Sequence, residues 1–392
     1  MRIVAIRDAV APIPSPMRNA VISFDRMTIS VVAVETDVVR GGRPVVGYGF
    51  CSNGRYAQSG IIRERLVPRV LEADPMTLLD ASGTNFDPAA VWCAMLSNEK
   101  PGGHGDRAAA VGAIDMAVWD AVAKIAGQPL WRLLSERYNG GVCDERVLVY
   151  SGGGYYYPGK QKDGLQDEMR RCRDLGYKLV KMKVGGAPIA EDLQRIEWVL
   201  EVVGGNGADV AIDANGRFDL ATALAYTKAI EAYGLCWFEE PVDPLDYLAH
   251  RVLAEASRTP LATGENLFSV PDFRNLLRHG GLRPHIDWLQ PDPSLCYGLT
   301  ETLRVLDLAA EFGWSRRQTV PHGGHQLGLN MAAGLGLGGT ESYPFVFQPY
   351  GGFADDTRIE DGHARLHETP GIGMELKAKM FAEMRRLLGY DG

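Results

Sequence analysis

The chain has 392 residues, 46% of them apolar, and a formal net charge of −8. That length exceeds one small domain and supplies large cores, while an acidic balance without any basic run excludes nucleic acid as a partner, because phosphate binding needs a concentrated basic patch. Six scattered cysteines without a C-x-x-C pair read as reduced thiols, and no segment nears the roughly 20 apolar residues of a membrane span, so a soluble cytoplasmic protein with no membrane partner is expected.

The N-terminal stretch is interrupted by Arg7 and Asp8 and does not read as a signal peptide. Residues 1–50 alternate in the strand manner: IVAIRDAV, TISVVAVETDVV and PVVGYGF, with GGRP as a turn. From about Gly60 the period becomes helical, through IIRERLVPRVLEAD, DPAAVWCAMLSNE and DRAAAVGAIDMAVWDAVAKIAG. Residues 1–138 therefore read as an α+β capping domain, followed by a Gly-rich link at Asn139–Val142. Across residues 139–348 short apolar runs alternate with helical stretches: RVLVYSGG, KLVKMKVG, DVAIDANG, LCWFEEPV, PLATGENL, DWLQPDPS, RQTVPHGG and about SYPFVF. That rhythm specifies a parallel sheet, and about eight units point to an α/β fold with a closed (β/α)8-type barrel. Residues 349–392 leave the rhythm and end in an amphipathic helix, GMELKAKMFAEMRRLLG, expected to pack back on the capping domain.

Three acids end three successive apolar runs at equal intervals: Asp213, Glu239 and Glu265, each 26 residues after the last. One such interval is one βα unit, so the carboxylates should fall at equivalent strand ends and converge at the C-terminal mouth of the barrel, where this fold builds its sites. Converging carboxylates repel unless a cation lies among them, and an oxygen-only donor set favours Mg2+ over zinc. Lys181 and Lys183 form a Lys-x-Lys on the second strand and so share one face. Two close ammonium groups disfavour each other's charge, which is expected to lower a lysine pKa toward that of a working base. Asp292 and His322 come from the sixth and seventh strand ends, where a carboxylate can hold one imidazole nitrogen and leave the other for acid–base work. His325 is a decoy under this reading. A retaining glycosidase leaves the lysines and the His–Asp pair unexplained, and nucleophilic-serine chemistry lacks its G-x-S-x-G.

Lys-x-Lys, Asp, Glu, Glu, Asp and His in this order resemble the enolase superfamily in its mandelate racemase subgroup, where a lysine or histidine base works beside Mg2+ that stabilises an enediolate. The resemblance covers the whole chain, including the PGIGMEL tail. RNA at Arg18–Ala20, SNGRY at Ser52–Tyr56, NEKPGGHG at Asn98–Gly105, GGYYYPG and PHGGHQ at Pro321–Gln326 are similar to the branch that dehydrates D-tartrate. The resemblance implies Asp213, Glu239 and Glu265 as Mg2+ ligands, Lys183 as the base that takes the proton α to a carboxylate, and Lys181 as its tuning neighbour. It implies His322 as the opposing acid, oriented by Asp292. Glu341 then meets the substrate carboxylate, with Asn19, Asn53, Lys100 and Tyr155 as further contacts, and Lys100 as the cation for the far carboxylate of a diacid. The partner is a small hydroxy-diacid or acid sugar, and a homo-oligomer (dimer or octamer) is implied. Two other outcomes stay open: a racemase or epimerase on the same two bases, and a catalytically silent barrel that only binds.

Overall fold

The structure, a computed structural model, describes residues 1–52 and 54–390. The capping domain opens with a three-stranded antiparallel sheet, β1 (Ile3–Pro12), β2 (Thr28–Arg40) and β3 (Arg43–Phe50). Gly41 and Gly42 turn β2 into β3 with φ of 57° and 76°, a left-handed backbone open to glycine at no steric cost. Helical turns follow as α1 (Ser59–Ile61), which runs through one wide turn into α2 (Val67–Glu72), and then α3 (Pro88–Met95), α4 (Asp106–Ala126) and α5 (Leu130–Tyr138).

α4 is apolar almost all round because it is buried on almost every side. On one side it lies against β3 so closely that only glycine fits: a Cβ on Gly47 or Gly49 meets Ala117 O at 1.9 Å or Ala113 O at 2.4 Å. On the other side Asp115 accepts hydrogen bonds from the backbone N–H and hydroxyl of Thr300, tying the capping domain to the barrel. Burial sets the stability of this seam. A fully buried Ile29, Val31 or Val32 contributes about 1.5–3 kcal/mol, whereas an exposed pair such as Arg2–Asp37 contributes about 0–1 kcal/mol.

The barrel runs through β4 (Arg146–Gly153), α6 (Lys162–Asp174), β5 (Leu179–Lys183), α7 (Ile189–Val202), β6 (Val210–Asp213), α8 (Leu220–Ile230), β7 (Phe238–Glu239) and α9 (Tyr247–Ala256). It continues through β8 (Leu261–Thr263), α10 (Val270–His279), β9 (Trp288–Leu289), α11 (Leu299–Glu311), α12 (Gln326–Leu335) and β10 (Thr340–Ser342). Strands β4 to β9 pair in parallel in chain order, and β10 closes the ring on β4. The seventh position is thinner than the sequence suggests: Thr319 makes a single parallel bridge to Leu289, and Thr319 O accepts from Gly338 N. The eighth strand is Thr-Glu-Ser rather than the SYPFVF run, whose Tyr343 and Phe347 turn away to pack at the mouth. The chain thus forms a modified (β/α)8 barrel with an antiparallel-sheet capping domain.

The tail adds the hairpin β11 (Ile359–Glu360) and β12 (His363–Arg365) beside β4, then α13 (Ala378–Leu388). Phe381 packs edge-on against Tyr48, Ile372 N–H donates to Asp120, and Lys124 bridges Asp120 and Glu375. All six cysteines are free. Among the described residues no helix is long and apolar enough to cross a membrane.

Candidate active site

Every residue of β5 is buried, and alternation turns Lys181 and Lys183 to the same, inward side. The register carries the next groups to the same level: Lys183 lies opposite Asp213, and Asp213 opposite Glu239. Glu265 follows β8 by two residues. The equal spacing in sequence thus becomes a cluster, with one oxygen of each of Asp213, Glu239 and Glu265 within 4.8 Å of the others.

These acids are shielded from water; Asp213 and Glu239 are fully buried. Burial pushes the Glu239 carboxyl up to about 7, and the charges of Asp213, Glu265 and Glu341 add to the rise against the pull of Lys181. Glu240, one residue on, is a fourth buried carboxyl, held at φ 37° with Oε1 lacking a hydrogen-bond partner among the described residues. A buried, oxygen-only donor set with an orphaned oxygen beside it fits a hard divalent cation and offers no nitrogen or sulfur for zinc.

The lysines depart from expectation. Burial pulls both ammonium groups down, but Glu239, Glu341 and Asp213 around Lys181, and Asp213 beside Lys183, outweigh it and hold both pKa values above the ordinary lysine range. Lys181 Nζ contacts Glu239 and lies 2.9 Å from Glu341 Oε1, while Lys183 Nζ pairs with Asp213. The expected mutual lowering loses because each lysine has more carboxylates than ammonium groups for neighbours.

His322 stands on the other flank. Its Nδ1 is 2.8 Å from Asp292 Oδ2, and its Nε2 is 3.0 Å from Glu265 Oε2 and 3.1 Å from the Tyr343 hydroxyl. Burial lowers its pKa, but Glu265, Glu341 and the Asp292 hydrogen bond outweigh that and raise it well above the ordinary value. Lys183 touches the first acid of the cluster and His322 the last. With β5 and the seventh strand position on opposite arcs of the ring, amine and imidazole flank the carboxylates from two sides. His325 points elsewhere, to Ser294, and burial brings it down to about 4.

A small cavity of about 30 Å3 lies between them. Lys183, Glu265 and His322 reach it from the barrel, and Asn19, Tyr155 and Arg55 also line it. Asn19 is buried with Oδ1 accepting from Val21 and Ile22 N–H, a turn-forming role as well as a wall. The Tyr155 ring lies 5.1 Å from Lys183 Nζ. Glu341 is set behind the wall, between Lys181 and His322. Lys100 is exposed and outside the lining, and Asn53 falls outside the described residues. Sequence reasoning misses Ser52, whose hydroxyl donates to Asp292 Oδ2, as well as Arg55, Asn266 and Tyr343. Ser52 and Arg55 stand in the SNGRY motif, so the signal is present there, but the motif does not say which of its polar residues faces the site. A larger groove, about 1100 Å3 along α6 and α7, shares Tyr155 with this cavity but holds none of the acids of the cluster.

Comparison with known proteins places this geometry. A family model described as mandelate racemase/muconate lactonizing enzyme, N-terminal domain, matches residues 1–135, and one described as enolase C-terminal domain-like matches residues 164–380. L-talarate/galactarate dehydratase of Salmonella typhimurium is 29% identical over 373 residues, covering 94% of this chain and 87% of that protein. Arabinonate dehydratase of Saccharolobus solfataricus is 27% identical over 72% of this chain and 74% of its own. Among solved structures, L-talarate dehydratase from Polaromonas sp. JS666, complexed with Mg and L-glucarate, superposes with a TM-score of 0.75 at 28% identity, covering 97% of this chain and 96% of that one. A racemase from Streptomyces coelicolor A3(2) with bound magnesium gives 0.78 at 25% identity, covering 98% and 99%.

Proposed function

The chain belongs to the mandelate racemase/muconate lactonizing enzyme family of the enolase superfamily, and from that membership we propose that it is a Mg2+-dependent acid-sugar dehydratase acting on a small hydroxy-diacid, D-tartrate above all. The observation that carries the proposal is the placement of Lys183 and His322 on opposite flanks of the Asp213–Glu239–Glu265 cluster. Curated relatives dehydrate talarate, galactarate and arabinonate by name, which supports the reaction class. The narrower substrate is supported by the RNA, SNGRY, NEKPGGHG and PHGGHQ segments, which resemble the branch that dehydrates D-tartrate.

Asp213, Glu239 and Glu265 would hold Mg2+, whose positive charge would offset the negative charge that grows on the substrate carboxylate. Asp213, the carboxylate that holds the Lys183 ammonium charged, would be drawn to the cation, and Lys183 in its neutral form then takes the α-proton, the C–H electron pair becoming the new C–C double bond. The C–O bond to the β-hydroxyl breaks as His322 gives it the Nε2 proton, so water leaves. Asp292 at Nδ1 keeps that proton on the correct nitrogen and steadies the charged ring. The enol becomes a keto acid as its β-carbon takes a proton and its enol oxygen gives one up to solvent, and from tartrate that keto acid is oxaloacetate. Asn19 walls the substrate from the capping side and Tyr155 from the loop after β4.

The test is a keto-acid assay over acid sugars and tartrate stereoisomers with Mg2+, beside melting curves with Mg2+ or EDTA. Oxaloacetate from one tartrate isomer, lost with EDTA and restored by Mg2+, is expected. Turnover of six-carbon diacids alone overturns the tartrate assignment. The same two flanking groups can return a proton to the opposite face, and the racemase from Streptomyces coelicolor makes this second reading concrete. Product NMR in deuterated water separates them: a keto acid for dehydration, a deuterated epimer for racemisation.

A further inference from the structure

We infer that Arg195, on α7, is a positioning residue for the base: its guanidinium takes over where the pairing of β4 with β5 stops, and holds Lys183 and Tyr155 in place. Arg195 has this role only if Lys183 takes the α-proton, as the dehydratase reading has it. The Arg195 side chain is buried and stands outside the lining of the cavity, so it acts through Lys183 and not on the substrate.

The ladder between β4 and β5 ends with Gly153 opposite Met182. One residue further, β5 is still braced toward β6, where Lys183 lies opposite Asp213 and Val184 N–H donates to Asp213 O at 2.9 Å. Toward β4 the fork of Arg195 continues where the ladder stops. Its Nη1 donates to Lys183 O at 2.8 Å and its Nη2 to Gly154 O at 2.7 Å. Gly154 precedes Tyr155, whose ring lies 5.1 Å from Lys183 Nζ. One planar group therefore fixes the backbone under the amine and the backbone that carries the ring beside it. A lysine ammonium, a point charge on a flexible stem, does not hold two carbonyls in one fixed plane.

The guanidinium is itself held in place. Asp192, one turn earlier on α7 and fully buried, accepts from Arg195 Nη1 at 2.9 Å. Its oxygens also accept from Gly185 N–H at 2.6 Å, from the Tyr226 hydroxyl at 3.0 Å and from the Tyr156 hydroxyl. The pair is thus buried with its hydrogen bonds made, the condition under which a buried ion pair keeps a fixed geometry. The Arg195 guanidinium carbon lies 3.9 Å from the centre of the Tyr156 ring, and that of Arg18, from the capping domain, lies 4.7 Å from it. Arg18 Nη2 also donates to Gly186 O at 3.1 Å. The contacts therefore run from the carbonyl of Lys183 through Gly185 to Gly186, the whole turn that follows the base.

The test compares wild type, Arg195→Ala and Arg195→Lys, as the full Mg2+-loaded chain, on the acid that wild type turns over best. Steady-state rates and exchange of the substrate α-proton with deuterated solvent are read beside melting curves. Each is repeated with methylguanidinium, which reaches the vacated place from the groove along α6 and α7 that Arg195 lines. Arg195→Ala should slow exchange and kcat together by about 10²-fold, the cost of a misplacement of about 1 Å. KM should stay within about threefold, since only the transition state is affected, and methylguanidinium should recover about tenfold or more of the lost rate. Arg195→Lys keeps the charge beside Asp192 without the fork, and should fold but stay slow. Wild-type exchange in either variant overturns the inference. So does a loss that methylguanidinium leaves unchanged in a variant whose melting temperature has fallen, which marks a purely structural role. Should Arg195→Ala not fold, Arg195→Lys decides the matter by its exchange rate. If wild type exchanges the α-proton without forming keto acid, and the variants lose and regain that exchange as stated, Arg195 keeps its role and the dehydratase reading falls.

Discussion

The barrel mouth and the capping-domain loops reach the same cavity by different means. At the mouth, Lys183, Asp213 and Glu239 stand on strands whose pairing fixes their level to a residue. On the capping side, Asn19, Ser52 and Arg55 stand on loops, held by side-chain hydrogen bonds to a turn, to Asp292 and to Asn266. The difference teaches where each kind of function is kept. Groups that must meet a metal and a proton within tenths of an ångström belong on rigid strand ends, whereas groups that read the rest of the substrate ride on segments that vary without disturbing the chemistry.

The sharpest way to break this comparison is to remove the two flanking groups separately. Lys183→Ala should abolish exchange of the substrate α-proton with deuterated solvent and lower kcat by about 10²–10⁴-fold or more. His322→Asn should cut keto-acid formation by a similar factor while exchange at the α-carbon persists. Exchange at the wild-type rate in Lys183→Ala ends its assignment as base.

A second prediction concerns the seam that carries the loops. Gly49→Ala drives a methyl to 2.4 Å from Ala113 O on α4, so strand and helix must part, at a cost of about 1–3 kcal/mol. Thermal unfolding should show the loss, and KM should rise more than kcat falls as the capping loops shift. A melting temperature equal to wild type refutes the close-packed seam.

Smaller still is Ser52→Ala, which removes one of the donors to Asp292. With His322 Nδ1 and Ser294 N–H still bonded to that carboxylate, kcat should fall by about 2–10-fold, and Ser52→Thr should recover it. A hundredfold loss moves Ser52 from a loop anchor into the acid machinery.

The smallest effect belongs to the capping surface near Lys100. Burial pushes the Glu99 carboxyl up, but hydrogen bonds from Arg69, Arg65 and Arg107 outweigh it and bring it down to about 2. A carboxylate held low stabilises the fold at pH above its ordinary range and loses that contribution as pH falls toward 2. Acid titration of wild type should show this limb of stability, and Glu99→Gln should lack it. Identical acid limbs count against the three-arginine clamp.

The barrel is legible because a βα repeat imposes a period, and three acids spaced 26 apart keep that period in the folded ring. Less legible are the short closing strands. At Thr319 only one bridge forms, and the eighth strand is three residues long, so propensity over a window points past it to the aromatic run. The lysine pKa values run opposite to the sequence expectation because sequence shows two ammonium groups side by side but not the carboxylates that fold around them.

Residue type, order and spacing by themselves determined the fold class and which carboxylates, lysines and His–Asp pair would come together at the barrel mouth, since strand period and alternation leave few ways to place them. Tertiary structure alone decided which cation faces the cavity. Lys100 and Arg55 are equally charged in the sequence, yet loop geometry turns one to solvent and lets Asn266 hold the other at the wall. Such choices depend on contacts between segments about 200 residues apart, and no local pattern encodes them.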